Sequence, residues 1–210
     1  MSCRNRTCPR PAEVYTFGMA STEVPTGLAT EADLLALPEK PGAELIDGVI
    51  VYKPAPSWEH GDGQLSLGSF AKRFFGHGGG GEGPGGWWIG SEVDVWFEPT
   101  QIYRPDIAGW RRTNPGGKPK GRPVRIRPDW VCEVLSPSNT KNDLVKKHRV
   151  YQRHGVGHYW LVDPEAAVLT VYRWQNEGYL NVLIATTGET VKAEPFDAVE
   201  LRVGTLFGED

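Results

Sequence analysis

The chain has 210 residues, 39% of them hydrophobic and 23% charged, which are the values of a globular domain with a sizeable core and not of a disordered or membrane chain. No apolar run approaches the ~18 residues of a membrane span, and residues 1–18 lack the apolar stretch of a signal peptide, so the cytoplasm is the expected compartment. The net charge of −3 excludes a surface that is electropositive throughout, but it leaves room for a local basic stripe that meets nucleic acid.

Residues 1–27 show no apolar periodicity and are expected to be a disordered leader, with Met19 an alternative start and 28–210 forming one domain. Cys3 and Cys8 could pair or share a metal. No second Cys/His pair lies close by, so structural zinc is not expected. Thr30-Glu31-Ala32-Asp33 has the pattern of a capping box and opens a short helix carrying Leu34, Leu35 and Leu37, which Pro38 and Pro41-Gly42 end. The segment Glu44–Tyr52 reads as a hairpin turning at Asp47-Gly48. After Pro54 and Pro56 the spacing of Leu65, Leu67, Phe70 and Phe74 predicts a helix over Trp58–Phe75. His60, near its start, is either a substrate-phosphate contact or simply a helix-start residue.

Gly76–Gly86 holds eight glycines among eleven residues. No Gly-Lys-Ser/Thr follows, so a flexible connection is expected rather than a phosphate loop. Trp87–Phe97 alternates as one strand, with Val93, Val95 and Phe97 on one face and Glu92, Asp94 and Trp96 on the other. Glu92 faces either solvent or the same site as the acids that follow.

Asp106 stands after Pro105 at a strand start, where it reads as a turn acid or as a ligand. The stretch from Arg111 to Arg127 contains Arg111, Arg112, Lys118, Lys120, Arg122, Arg125 and Arg127 and no acid, so it is either a solvated loop or a phosphate-contacting arm. Glu133 lies inside the apolar run Val131–Leu135, the pattern of a strand buried on both faces, and a buried Glu needs a metal or a cation beside it. Cys132 in the same run reads as a small buried hydrophobe.

Residues 139–154 are expected to be a helix with Leu144, Val145, His148 and Tyr151 near one face, Lys141, Lys146 and Arg149 outside it, and Gly155 as its stop. Strand-like segments follow at His158–Pro164, Val168–Trp174, Tyr179–Ala185 and Val199–Val203. The whole is a mixed α/β chain with more sheet than helix. An Asp on one strand, a Glu on the next and a Lys nearby form the minimal kit for metal-assisted phosphodiester cleavage: carboxylates hold a hard divalent cation, and an ammonium orients the attacking water.

Several motifs occur together and in order: Glu44-Leu45-Ile46-Asp47-Gly48, Pro105-Asp106, Glu133-Val134-Leu135-Ser136-Pro137-Ser138, Asp143 with Lys147 and Tyr151, Gly155-Val156, and Tyr159–Pro164. In this the chain resembles the Uma-two family of restriction-endonuclease-like proteins in the PD-(D/E)XK nuclease superfamily, over about residues 30–203. The resemblance implies an α/β (α+β mixed) fold with a restriction-endonuclease-like core: a central mixed sheet flanked by helices, with a Mg²⁺ (or Mn²⁺) site at one end. Glu44 matches the early glutamate, Asp106 the Asp of the Pro-Asp pair, and Glu133 the second acid. The lysine usual two residues after that acid is replaced by Leu135, and the matching position on the following helix is Lys147. A lysine's long stem permits such a migration. Lys147 also lies four residues after Asp143, so an ordinary ion pair between them is the competing reading. Lys146 is rotated roughly 100° away.

The implied activity is a metal-dependent endonuclease that hydrolyses phosphodiester bonds of nucleic acid, with DNA expected. His60, Arg111, Arg112, Lys118, Lys120 and Arg122 would lie on the substrate, and a homodimer would cut both strands. The alternative is an inert nuclease-fold protein that binds nucleic acid or a protein partner.

Overall fold

The computed structural model describes residues 27–136 and 142–209. The expectations for the leader, Met19, Cys3, Cys8 and Lys141 lie outside the described residues, as do those for the side chains of Asp143 and Leu144. None of the described helices is long and apolar enough to cross a membrane.

The N-terminal helix α1 (Glu31–Leu35) is set by the expected capping box: the Thr30 hydroxyl accepts from the Asp33 backbone N–H, and the Asp33 carboxylate accepts from that of Thr30. It seats Leu34 against Ala43, Leu45 and Ile102. The hairpin follows as β1 (Ala43–Ile46) and β2 (Val49–Tyr52). Its turn places Asp47 at φ 53° and Gly48 at φ 74°, the double left-handed conformation for which Asp-Gly is suited.

Helix α2 (Trp58–Phe75) is capped by Ser57. Next come β3 (Trp87–Ser91), β4 (Val95–Glu98), β5 (Gln101–Tyr103), β6 (Ile107–Arg111) and β7 (Trp130–Val134). A π-helical turn (Asn142–Lys147) runs into α3 (His148–Arg153), and β8 (His158–Asp163), β9 (Val168–Gln175) and β10 (Gly178–Thr186) follow. The short β11 (Thr190–Val191) and β12 (Leu201–Arg202) pair near the end, ahead of a 3₁₀ turn over Val203–Phe207.

Six strands form a mixed sheet in the order β10-β9-β8-β7-β6-β3, with β7 and β8 parallel and the other neighbours antiparallel. The parallel pair needs a crossover, which the π-turn and α3 supply. Alternation along β7 and β8 divides the core. Trp130, Cys132, Val134, Trp160 and Val162 pack with α2 and Phe196 on one face; Val131, Leu135, Tyr159 and Leu161 pack with α3 on the other. On the second face lies a four-stranded sheet, β2-β1-β5-β4, which contributes Ile46, Val95, Phe97 and Tyr103.

Three expectations need correction. The strand expected over Trp87–Phe97 is two strands in two sheets. Glu92 at φ 53° breaks the ladder, after which the chain leaves the larger sheet for the smaller. The helix expected up to His154 carries a π-turn in its described part, and the i→i+5 spacing rotates the buried face. Val145 is therefore exposed, while Lys147, Val150 and Tyr151 are buried. The strand expected over Val199–Val203 shrinks to Leu201–Arg202, because Val203 already belongs to the 3₁₀ turn. Strand β5, three residues long, had no signal in the sequence.

Candidate active site

The two acids meet where β6 and β7 pair. Ile107 lies opposite Cys132 in an antiparallel register, so one step outward brings Asp106 level with Glu133 on the same face of the sheet. Asp106 Oδ2 accepts the Val134 N–H at 2.7 Å, which satisfies a buried donor at the strand end. Its Oδ1 lies 2.9 Å from Lys53 Nζ and 3.5 Å from His60 Nε2. Lys53 Nζ also reaches both Glu92 carboxylate oxygens at 3.2 Å and the Arg104 carbonyl at 3.0 Å. Gln64 donates to the Asp106 carbonyl and to Glu92, completing the support.

Electrostatics follow from this packing. Burial alone would raise the Asp106 carboxyl, yet His60, Lys53 and more distant Lys147 outweigh it and hold it well below the usual carboxylate range. Burial would likewise lower the Lys53 ammonium, but the charges of Asp106, Glu133 and Glu44 together outweigh burial and the repulsion of Lys147 and raise it. Burial, with the Asp106 charge beside it, raises the Glu92 carboxyl against the pull of Lys53.

Glu133 belongs to an adjoining group. Its Oε1 accepts the Tyr151 hydroxyl at 2.6 Å and its Oε2 lies 3.0 Å from Lys147 Nζ. The same ammonium is 3.0 Å from Glu44 Oε1, which also accepts the Arg104 N–H at 2.7 Å. Lys147 is only 2% exposed, and both carboxylates are buried with it. The π-turn makes this reach possible by directing Lys147 inward. Lys146, one position back, is partly solvated and pairs with Asp47 at 3.3 Å. Burial, then the Glu133 charge, pushes the Tyr151 hydroxyl far up, so it stays a donor.

The structure thus brings Glu44, Glu133 and Lys147 into contact, with Asp106 beside them. His60 is buried against Asp106 and its backbone N–H donates to the Ser57 hydroxyl, so it sits at the helix start beside the carboxylates. Glu92 turns toward the site. The basic stretch is divided among several partners. Arg122 is bound to Asp94 at 2.6 Å, Arg125 to Glu31 at 2.7 Å, and Arg127 to the His154 carbonyl. Arg111 and Arg112 lie over the rings of Trp87 and Trp88, and Lys118 and Lys120 are exposed. Residue-by-residue reading missed Lys53, Gln64 and the Asp94–Arg104 pair (2.5 Å). Only Arg104, standing before Pro105-Asp106, had a position that could have drawn notice.

Among the described residues no group of three or more His, Cys, Asp and Glu is placed to hold a metal ion together. Glu44 is turned to Lys147 and the Arg104 N–H instead. Asp106 and Glu133 remain as two hard oxygen donors on neighbouring strands. That donor set fits Mg²⁺, which is ordinarily held by one or two carboxylates while waters and substrate phosphates complete its shell.

A mixed sheet between helices, with acids on adjacent strands and a buried lysine from the crossover, defines a restriction-endonuclease-like α+β protein. The chain belongs to the Uma2 family, described as "Putative restriction endonuclease", whose profile matches residues 31–204. It is similar to a crystal structure from Anabaena variabilis described as "a putative nuclease belonging to DUF820", with a TM-score of 0.65 and 25% identity, over 85% of this chain and 97% of that one. No curated protein matches the chain.

Proposed function

We propose that this protein is a metal-dependent endonuclease that hydrolyses phosphodiester bonds of nucleic acid, with DNA as substrate. The observation that carries the reading is the buried Lys147 ammonium shared by Glu44 and Glu133, the latter level with Asp106 on the neighbouring strand. Asp106 and Glu133 would hold Mg²⁺ or Mn²⁺. Such an ion polarises a phosphate and lowers the pKa of a bound water.

The remaining steps belong to the chain. Tyr151 fixes one oxygen of Glu133 and leaves the other toward Lys147. Glu44, itself fixed by the Arg104 N–H, holds the ammonium in place so that it can orient the attacking water and steady charge on the phosphate. Lys53 and Gln64 keep Asp106 and Glu92 from drifting apart. Lys53, His60, Gln64 and Glu92 open onto a cavity of about 540 Å³, the approach for substrate. Cleavage of both strands would take two copies related by a twofold axis.

The test is a cleavage assay on plasmid and single-stranded DNA with Mg²⁺ or Mn²⁺. Glu133→Gln should abolish cleavage, since an amide lacks the charge a cation needs. Lys147→Ala should cut the rate while leaving metal affinity nearly intact. A second reading, an inert binding module, is favoured by one observation: Lys53 and Lys147 already pair with all four nearby carboxylates. It expects no uptake of Mn²⁺ in a titration of the wild type.

A further inference from the structure

Three hollows join end to end on one side of the molecule. The cavity at Lys53, His60 and Glu92 shares Gln64 with a second, of about 770 Å³, between α2 and β3. That one shares Lys72, Ile89 and Gly90 with a third, of about 540 Å³, where Trp88 meets Lys72, Arg112, Lys118 and Lys120. The third is lined by four cations and no acid. Among the described residues none of these four makes an ion pair, whereas Arg122 and Arg125 of the same stretch do. Like charges gathered without counterions repel, so the arrangement is favourable when a polyanion lies on it.

The middle hollow adds a steric observation. Gly61 and Gly68 both line it from within α2. A Cβ on Gly61 would meet nothing within 4 Å, and one on Gly68 would meet only the Ile107 Cδ1 at an ordinary 3.7 Å. Glycine inside a helix costs about 1 kcal/mol against alanine, and packing does not require it at either position. What the two glycines do is keep the floor of the groove low. From Ser91 to Trp88, β3 spans roughly 10 Å, so a strand lying along it reaches the four cations within a few nucleotides of the carboxylate site.

We propose that this groove carries one nucleic-acid strand away from the carboxylate site, with Lys72, Arg112, Lys118 and Lys120 holding its backbone phosphates a few nucleotides from the bond to be cut. The placement of the cut rests on the nuclease reading; the binding groove does not.

The probe is a fluorescein-labelled 20-nucleotide single-stranded DNA, with anisotropy read in EDTA across a salt series. The Lys72→Ala/Arg112→Ala/Lys118→Ala/Lys120→Ala variant should bind at least 10-fold more weakly. Its log Kd–log salt slope should be shallower by about 3, at about 0.7 for each phosphate that is no longer neutralised. Gly61→Phe, which fills the groove without altering charge, should also weaken binding at least 5-fold, an effect a diffuse positive surface would not show. Arg149→Ala/Lys192→Ala, exposed elsewhere, should stay within twofold of wild type. Unchanged affinity and slope in the fourfold variant, or full binding by Gly61→Phe, would overturn the proposal even if the protein cuts. Loss of binding in both variants supports the groove even in a protein that cuts nothing, an outcome that would sink the nuclease reading alone.

Discussion

Lys147 holds two buried carboxylates apart from each other's charge, so its first role is structural. Lys147→Met leaves Glu44 and Glu133 facing without a cation, and breaking a buried ion group from one side costs about 3–5 kcal/mol. Lys146→Ala removes only a partly solvated pair with Asp47 and should cost under about 1 kcal/mol. Urea unfolding of both variants checks this contrast, and equal losses would show that the ammonium is not confined to the inward position. Tyr151→Phe should fall between them, at about 1.5–3 kcal/mol for a hydrogen bond to a charged group. Glu133 was legible in the sequence because a carboxylate amid Val131, Cys132, Val134 and Leu135 demands a partner. That Lys147 is the partner came from family resemblance, since helical spacing alone ties it to Asp143. Lys53 was illegible: a lysine after a hairpin is ordinarily solvated, and Asp106 is brought to it by contacts 53 residues apart in the chain.

The hairpin, its Asp-Gly turn and the span of α2 were readable because each is set by local rules: positive φ at the turn, a Ser cap, and apolar spacing along one helix face. The elements misread are those where tertiary packing overrides the pattern. Period-two alternation runs through Ser91–Val95 without a fault, yet Glu92 takes a left-handed conformation there so that its carboxylate can meet Lys53. The π-turn escapes for the same reason, since no residue in 142–147 marks a wider turn; burial of Lys147 does. Phe196 shows how far a connection without strand or helix can carry the core. Its ring lies 4.6 Å from that of Phe75, 5.1 Å from Trp87, 4.7 Å from Trp130 and 5.7 Å from Trp160. Phe196→Ala should therefore cost about 3–5 kcal/mol, as for a core aromatic. A loss below about 1 kcal/mol in thermal or urea unfolding would mean that the C-terminal connection folds over α2 and the sheet without stabilising them.

Two sheets meet at the site, and ions cross the seam between them. Glu44 in β1 shares Lys147 with Glu133 of β7, while Lys53, just past β2, binds Asp106 at the start of β6. Arg104, between β5 and Asp106, ties Asp94 to the same region, with Arg122 as a second partner. Burial alone would raise the Asp94 carboxyl, but hydrogen bonds from Arg104 and Arg122 outweigh it and hold it below the usual range. Asp94 and Asp106 thus both have folded values below the unfolded value of about 3.9. In that window the unfolded chain binds more protons than the folded one, so stability rises with pH. Their contribution is fully present above about pH 4 and is lost as pH falls through the depressed folded values. Glu92 acts in the opposite sense, because its raised carboxyl favours the folded state at low pH and loses that contribution as pH rises through its folded value. It is one group, and about half-exposed, against two buried ones. The midpoint of thermal unfolding should decline modestly as pH falls below about 6.5, because burial lowers the imidazoles of His148 and His158 and favours the fold only while they are neutral, and drop further below about pH 4, with Asp94→Asn lowering it at pH 7 but flattening the acid limb. Because these ion pairs lie on the seam, the smaller sheet should loosen first as their contribution falls. Hydrogen exchange along the acid limb below about pH 4 should expose the amides of residues 43–52 and 95–103 before those of 130–134 and 158–163. Simultaneous loss of protection across both sheets would show that the shared apolar core, with Ile46, Phe97 and Tyr103 packed against Tyr151 and Tyr159, joins them more firmly than the ions do.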